Sequence, residues 1–465
     1  MKKNIKEIVE KQRDEIISST QEIVRVKSVE SSPEKNMPFG EGVNNALETF
    51  LNMAERLGLE TVNVDGYAGY IEIGEGEEML GLLCHLDVVP EGKDWTYPPY
   101  AAEIHDGKIY GRGTIDDKGP AVSSLYALKA VIDSGIKLNK RVRLIVGTDE
   151  ESGWEGLDYY LEHEEEPDFA FSPDAAFPVI HAEKGILIFD LKGEYKIRED
   201  APIIIESIEG GNAPNMVPDY CEALLKIDNT AKFKTKFDEF KNDNDFNLEY
   251  EEVNSKIKII SQGISAHGSM PEDGQNAISQ LMVFLGELGI NSKQGKLIEF
   301  YNNKIAMEYN GESMNCGLSD GVSGKLVFNV GMIDFNIEKF AITVNIRYPV
   351  TKSKEEVYKR IEEEIKGIDL SIEEKEDLKP LYLPVDDPFV EKLMKIYRDK
   401  TGDDTEAIAI GGGTYARAVK KGVAFGPLFP GEPELAHQKD EHIKIENLII
   451  STEIYAEAII ELATK

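Results

Sequence analysis

The residues of this chain best suited to binding a metal ion fall in a set order. Each stands at or just past the end of an apolar or glycine-rich run. They are His85 and Asp87 in GLLCHLD, Asp116 in GRGTIDDKG, Glu150 and Glu151 in GTDEESG, Asp174 in FSPDA and His437 in ELAHQKDEH. Strand-to-loop junctions are where folds present functional side chains, so the pattern asks for a sheet whose carboxyl edge gathers these groups. Two imidazoles and three carboxylates, with two carboxylates to spare, can hold a pair of borderline divalent ions. The chemistry this set points to is metal-dependent hydrolysis.

The surrounding sequence fits such a sheet. From about residue 40 to 185, short apolar runs alternate with helical stretches; MLGLLCH, RVRLIVGT and DFAFS read as strands. Residues 119–134 place Val122, Leu125, Leu128 and Ile132 on one helical face, with Gly135 as C-terminal cap. Asp106-Gly107 marks a hairpin turn. Strands alternating with helices predict an α/β domain on a mostly parallel sheet. From about 186 to 383 the texture turns β-rich, with stretches such as ILIFDLKG and AITVNIRYPV, and predicts α+β packing in two subdomains. The 242–252 run reads as a solvated loop or surface strand. From 384 the α/β texture returns, with helices expected at 388–402 and 445–464. Residues 1–185 and 384–465 are therefore expected to form one catalytic domain, with 186–383 inserted into it.

A length of 465 residues predicts two or three domains. The 52 basic and 86 acidic residues leave a net charge of −34. Such a field repels phosphate backbones and anionic lipid, which argues against nucleic acid and membrane partners and favours cations. No run reaches the roughly 18 apolar residues of a membrane span. The opening MKKNIKEIVEKQRDEII lacks the apolar core of a signal peptide, and Ile5, Val9, Ile16 and Ile23 recur at helical spacing. The expected location is the cytoplasm. Cys84, Cys221 and Cys316 form no CxxC pair, so neither a disulfide framework nor a cysteine zinc site is expected.

The individual motifs leave some choices open. Asp87 can accept the second ring N–H of His85 and so fix its tautomer. Asp116 has two oxygens and could bridge two cations, while Asp117 could instead cap the following helix. Glu150 and Glu151, if extended, point apart, so one can ligate while the other takes a proton from water. His437 has a rival in His442, five residues on; His105, His163 and His181 stand outside the motifs. His267 lies among small residues in GISAHGSMPEDGQNA. Arg347 ends an alternating strand, where its fork suits a carboxylate. Gly411, Gly412 and Gly413 precede a helix-like YARAVKK, whose N–H groups could bind an anion.

The order HLD, GRG–DDKG, DEE, PDA and a late AHQKDE resembles the dinuclear zinc aminoacylase and carboxypeptidase family. Runs such as FSPDAAFP and FPGEPELAHQKDEH, with the large insertion, are similar to its PepV-type, carnosinase-like dipeptidases. The resemblance runs nearly end to end. It implies an α/β catalytic domain with an inserted α+β lid, and hydrolysis of dipeptides by a hydroxide bridging two divalent ions. Zinc is the expected metal, although manganese or cobalt also suits N/O ligands. It implies that Asp116 bridges the ions, that His85 and Asp174 bind one and that Glu151 and His437 bind the other. Glu150 is then the general base and Asp87 the support for His85. His267 donates to the oxyanion, and Asn215, Arg347 and the Gly411–Gly413 loop read the substrate's free carboxylate. A cis peptide between Asp116 and Asp117 and a monomeric state are also implied. Two rivals stand beside this: an N-acyl amino acid deacylase or desuccinylase with the same chemistry, and a catalytically silent binding protein.

Overall fold

A computed structural model describes residues 4–196 and 201–464. The chain divides into two compact units: 1–182, 381–409 and 413–465 form one, and 183–380 with 410–412 form the other.

The first unit is built on a nine-stranded sheet. Its strands run in the order Thr61–Val64, Ala68–Ile73, Arg141–Gly147, Met79–His85, Phe169–Ser172, Gly422–Ala424, Ile180–Glu183 and Leu381–Tyr382, with Ile408–Ile410 beside Ile180–Glu183. The centre is parallel: Met79–His85 lies between Arg141–Gly147 and Phe169–Ser172, with His85 in register with Gly147. Every residue of Met79–His85 is buried, as expected of a strand covered on both faces. Three strand ends therefore open on one edge, bringing His85, the 149–151 turn and Asp174 together. The Asp106-Gly107 turn joins the hairpin strands Glu103–His105 and Lys108–Tyr110, with both turn residues at positive φ.

Helix Lys118–Ser134 packs against the helices Ile5–Val24 and Ile445–Ala463 and against strand Met79–His85. Enclosed on several sides, it is buried nearly all round rather than along one stripe. Ile132, expected on the buried face, is instead 44% exposed. Gly135 takes the left-handed C-terminal position. At the helix start a Cβ on Gly119 would lie 2.1 Å from the Thr114 carbonyl oxygen, so only glycine permits this approach.

The second unit carries one eight-stranded antiparallel sheet, ordered Asn247–Val253, Lys256–Gln262, Tyr220–Ile227, Ile203–Gly210, Val327–Asn336, Lys339–Tyr348, Gly185–Glu194 and Ser371–Leu378. Its halves join where Ser207 pairs with Asn336, so any division into two subdomains falls along a hydrogen-bonded strand pair. One apolar cluster runs through both halves, from Phe233 and Phe284 to Val357 and Ile361. The 242–252 run resolves into the end of helix Thr230–Asp243 and most of the mainly exposed edge strand Asn247–Val253. Among the described residues, no helix is long and apolar enough to cross a membrane.

Candidate metal centre

His85 is fully buried at the end of its strand. Its backbone N–H donates to Asp117 Oδ2 at 3.1 Å, and its Nδ1 donates to the Asp87 carbonyl at 3.1 Å, with Asp87 Oδ1 at 3.4 Å. This leaves Nε2 aimed into the cluster, 2.9 Å from Asp116 Oδ1 and 3.6 Å from Asp174 Oδ1. From the other side, Nε2 of the half-exposed His437 lies 3.2 Å from Asp116 Oδ2 and 2.9 Å from Glu151 Oε2. The two oxygens of Asp116 thus face two different imidazoles, the disposition a bridging carboxylate needs. The Asp116–Asp117 peptide is cis.

Several expectations change in detail. Asp117 occupies the helix N-cap position but makes no side-chain cap bond. One oxygen serves His85, and the other, Oδ1, is buried without a hydrogen-bond partner. His85, Asp117 and Asp174 each place a ligand atom within 4.8 Å of the others, as do His85, Asp116 and Glu151. Glu150 and Glu151 lie in a turn, not an extended strand. Asp87 does more than support His85: its oxygens accept the N–H groups of Glu150 and Glu151, both at 3.0 Å. The Glu150 carbonyl accepts Trp154 Nε1–H at 2.8 Å, so its backbone is held on both sides. His442 is bound to the Asp440 carbonyl and packs on Tyr110, leaving His437 as the histidine that meets Asp116. His105, His163 and His181 bond to Glu103, Tyr159 and Leu383. Tyr415, which drew no notice in the sequence, is buried with its ring 6.3 Å from that of His85.

The electrostatics of the cluster call for added positive charge. Burial, reinforced by neighbouring carboxylates, pushes the carboxyls of Asp117, Glu150 and Glu151 upward, and that of Asp174 up to about 7. Burial acts the other way on the imidazoles but loses. Asp174, Asp116 and Asp87 hold His85 well above its ordinary value, and Asp116 and Glu151 raise His437 to about 11. Burial also opposes ionisation of Asp116, yet hydrogen bonds from His437 and His85 keep its carboxyl well below the usual range. Divalent cations would offset the crowded carboxylates and take the place of the imidazole protons. The donor set fits them.

A ligating imidazole must be neutral, whereas the carboxylates facing these imidazoles favour their protonated forms when no cation is present. Loading at pH 7 should therefore release about one proton or more per ion, and affinity should fall as pH falls. Calorimetric titration in buffers of different ionisation enthalpy measures the release. An affinity unchanged between pH 8 and pH 6 would contradict it.

The second unit gathers another set. The exposed His267 receives hydrogen bonds at Nδ1 from Ser269, from the hydroxyl at 2.6 Å and the backbone N–H at 3.3 Å. With Nδ1 accepting, Nε2 carries the ring proton. The Asn215 carbonyl accepts Gly268 N–H at 2.7 Å, and a Cβ on Gly411 would lie 3.0 Å from Ser269 Cβ. Asn215, His267 and Gly411 are thus neighbours. Arg347 is not on an edge: Lys339–Tyr348 pairs on both sides, and Arg347 is 4% exposed with Nε donating to Asn345 Oδ1 at 2.9 Å. The stretch after Gly411–Gly413 is also not a helix. Residues Tyr415–Ala418 form a single short 3₁₀ turn, so the expected helix-end field is absent. Gly412 belongs with the second unit and Gly413 with the first.

Residues 81–461 match the Peptidase family M20/M25/M40. A protein of Bacillus subtilis named "Putative dipeptidase YtjP" is 41% identical over 98% of this chain and 99% of its own length. A "Putative dipeptidase" of Staphylococcus epidermidis is 38% identical over 99% of each. Among solved structures, human carnosine dipeptidase 1 superposes with a TM-score of 0.57 at 15% identity, covering 99% of this chain and 98% of that one. Aminoacylhistidine dipeptidase from Vibrio alginolyticus gives 0.54 at 14% identity, covering 96% of each. At such identities these two structures speak for the fold.

Proposed function

The chain belongs to peptidase family M20/M25/M40, a family of metal-dependent enzymes, and is a hydrolase acting on peptide bonds; from that premise we propose that it is a dipeptidase working with two divalent ions, zinc foremost. The observation that carries the reading is the placement of the two Asp116 oxygens, one toward His85 and the other toward His437. Asp116 would be shared by the ions, His85 and Asp174 would hold one, and Glu151 and His437 the other. When bound, such ions polarise a carbonyl and lower the pKa of water.

The chain's own residues supply the rest. Glu150, fixed through its backbone by Asp87 and Trp154, takes a proton from the attacking water and delivers it to the leaving amine. Asp87 keeps His85 in one tautomer. His267, with Ser269 on Nδ1, offers Nε2–H to the developing oxyanion. Arg347, Asn215 and the N–H groups of Gly411, Gly412 and Gly413 are proposed to read the substrate's free carboxylate. The relatives named as dipeptidases support the substrate class. The enzyme is placed in the cytoplasm as a monomer without nucleic-acid or membrane partners, the last in keeping with its charge of −34.

Metal analysis combined with turnover of a dipeptide, a matched tripeptide and an N-acyl amino acid tests the proposal. Dipeptides should be cut fastest; preference for the acyl amino acid would transfer the reading to a deacylase, and no turnover with metal bound would indicate a silent binding protein. Arg347→Met should raise KM, costing roughly 2–5 kcal/mol of binding if its contact is desolvated, and C-terminally amidated dipeptides should be poor substrates. Equal rates on acid and amide would remove the carboxylate anchor. Sedimentation should find one chain per particle, and a dimer that persists on dilution would refute the monomer.

A further inference from the structure

Asp116 and His437 lie on two irregular segments, 111–116 and 436–441. The segments adjoin the paired strands Lys108–Tyr110 and His442–Lys444, but Asp116 and His437 themselves lie in neither helix nor strand. His437 and Asp440 both have left-handed backbone, at φ 64° and 59°, which non-glycine residues keep only where the surroundings hold them.

The holding group is Glu441, fully buried. Its Oε1 accepts N–H of Gly113 at 2.9 Å and of Ile115 at 3.0 Å, and its Oε2 accepts Arg112 Nη1–H at 2.6 Å. Its own carbonyl accepts Gly111 N–H at 2.9 Å. With the Thr114 hydroxyl 3.5 Å from Oε1, one residue thus faces donors from all five positions before Asp116. Arg112, 2% exposed, also donates to the Gln438 carbonyl at 3.3 Å, the residue after His437. Thr96 anchors the same turn through both oxygens of Asp440, at 2.6 and 2.9 Å.

We propose that Glu441, paired with Arg112, is a positioning residue that sets the spacing of Asp116 and His437, and with it the cation position these two residues share. The proposal rests on the reading that Asp116 and His437 bind a common ion. A buried ion pair is weak evidence of a stabilising role, because apolar residues of similar volume often serve the fold as well. What apolar residues cannot do is accept the peptide N–H groups of a bend and tie it to a second loop. Partners that hold ligands in place typically matter 10–100-fold in metal affinity.

The test uses the full-length protein and zinc. Glu441→Gln removes the charge facing Arg112, and the double variant Arg112→Met/Glu441→Leu removes the pair in a form a folded core can accept. Glu453→Gln, which removes the charge of the buried Glu453 facing the part-buried Lys400 elsewhere in the same unit, is the control for general destabilisation. Chelator competition should show the ion that His437→Ala loses bound about 10–100-fold more weakly in both Glu441 variants, with the ion assigned to His85 and Asp174 weakened less, since it shares only Asp116, and Glu453→Gln at the parent value. In metal-free protein, hydrogen exchange should quicken in 111–116 and 436–441 together in the double variant. Zinc affinities within threefold of the parent, an equal loss in Glu453→Gln at the same fall in Tm, or exchange unchanged in either segment would each overturn the proposal. If His437→Ala retains all its zinc, the reading of His437 as a ligand falls, and the exchange result still decides the tie between the loops.

Discussion

Glu150→Gln should abolish turnover of dipeptides, by about 10²–10⁴-fold, while metal content stays at the parent level. The substitution keeps size and shape and removes only the ability to take a proton. The turn should survive, because the bonds that hold Glu150 run through its backbone, to Asp87 and Trp154, not through its carboxylate. Folding should not suffer either. Burial and the carboxylate of Asp174 raise the Glu150 carboxyl above its ordinary range, so the charged form is disfavoured in the fold, and a neutral amide removes that penalty. In metal-free protein the variant should be at least as stable as the parent at neutral pH. Activity surviving within tenfold would show that another group moves the proton; loss of an ion would make Glu150 a ligand.

His267→Ala should lower kcat by about 10²–10³-fold, the loss of one oxyanion donor worth roughly 3–4 kcal/mol. Its contact strengthens only as charge develops on the oxygen, so KM should move little and both metals should remain. The cation-facing groups all belong to the first unit, whereas His267 is an exposed residue of the second, so neither metal content nor stability should change appreciably. Ser269→Ala is the graded companion: it loses the hydroxyl bond on Nδ1 but keeps the backbone one, and should cost less than His267→Ala. A full-speed His267→Ala would show that this histidine does not touch the reaction.

Much was determined by sequence alone because the relevant signals are local. The apolar run ending in His85 folds as a buried parallel strand, Asp106-Gly107 makes its turn and Gly135 caps its helix, all from residues within a few positions of one another. The order of ligand motifs likewise marked which strand ends would meet. Tertiary structure decided what periodicity cannot report. His437 and His442 sit in the same polar stretch, and only packing shows that one faces Asp116 while the other lies on Tyr110. Asp117 looked like a helix cap, but a folded sheet brings the His85 N–H to it first. Arg347 read only as the end of an alternating strand because its pairing partners, Ile186 and Val327, lie on two other strands of the sheet. Arg112 and Glu441 stand 329 positions apart. Each alone is an ordinary charged residue in a loop; their pairing exists only once the sheet and the final helix have brought the two loops together. Local pattern encodes burial and turns, whereas the distance between two ligands is a property of the assembled core.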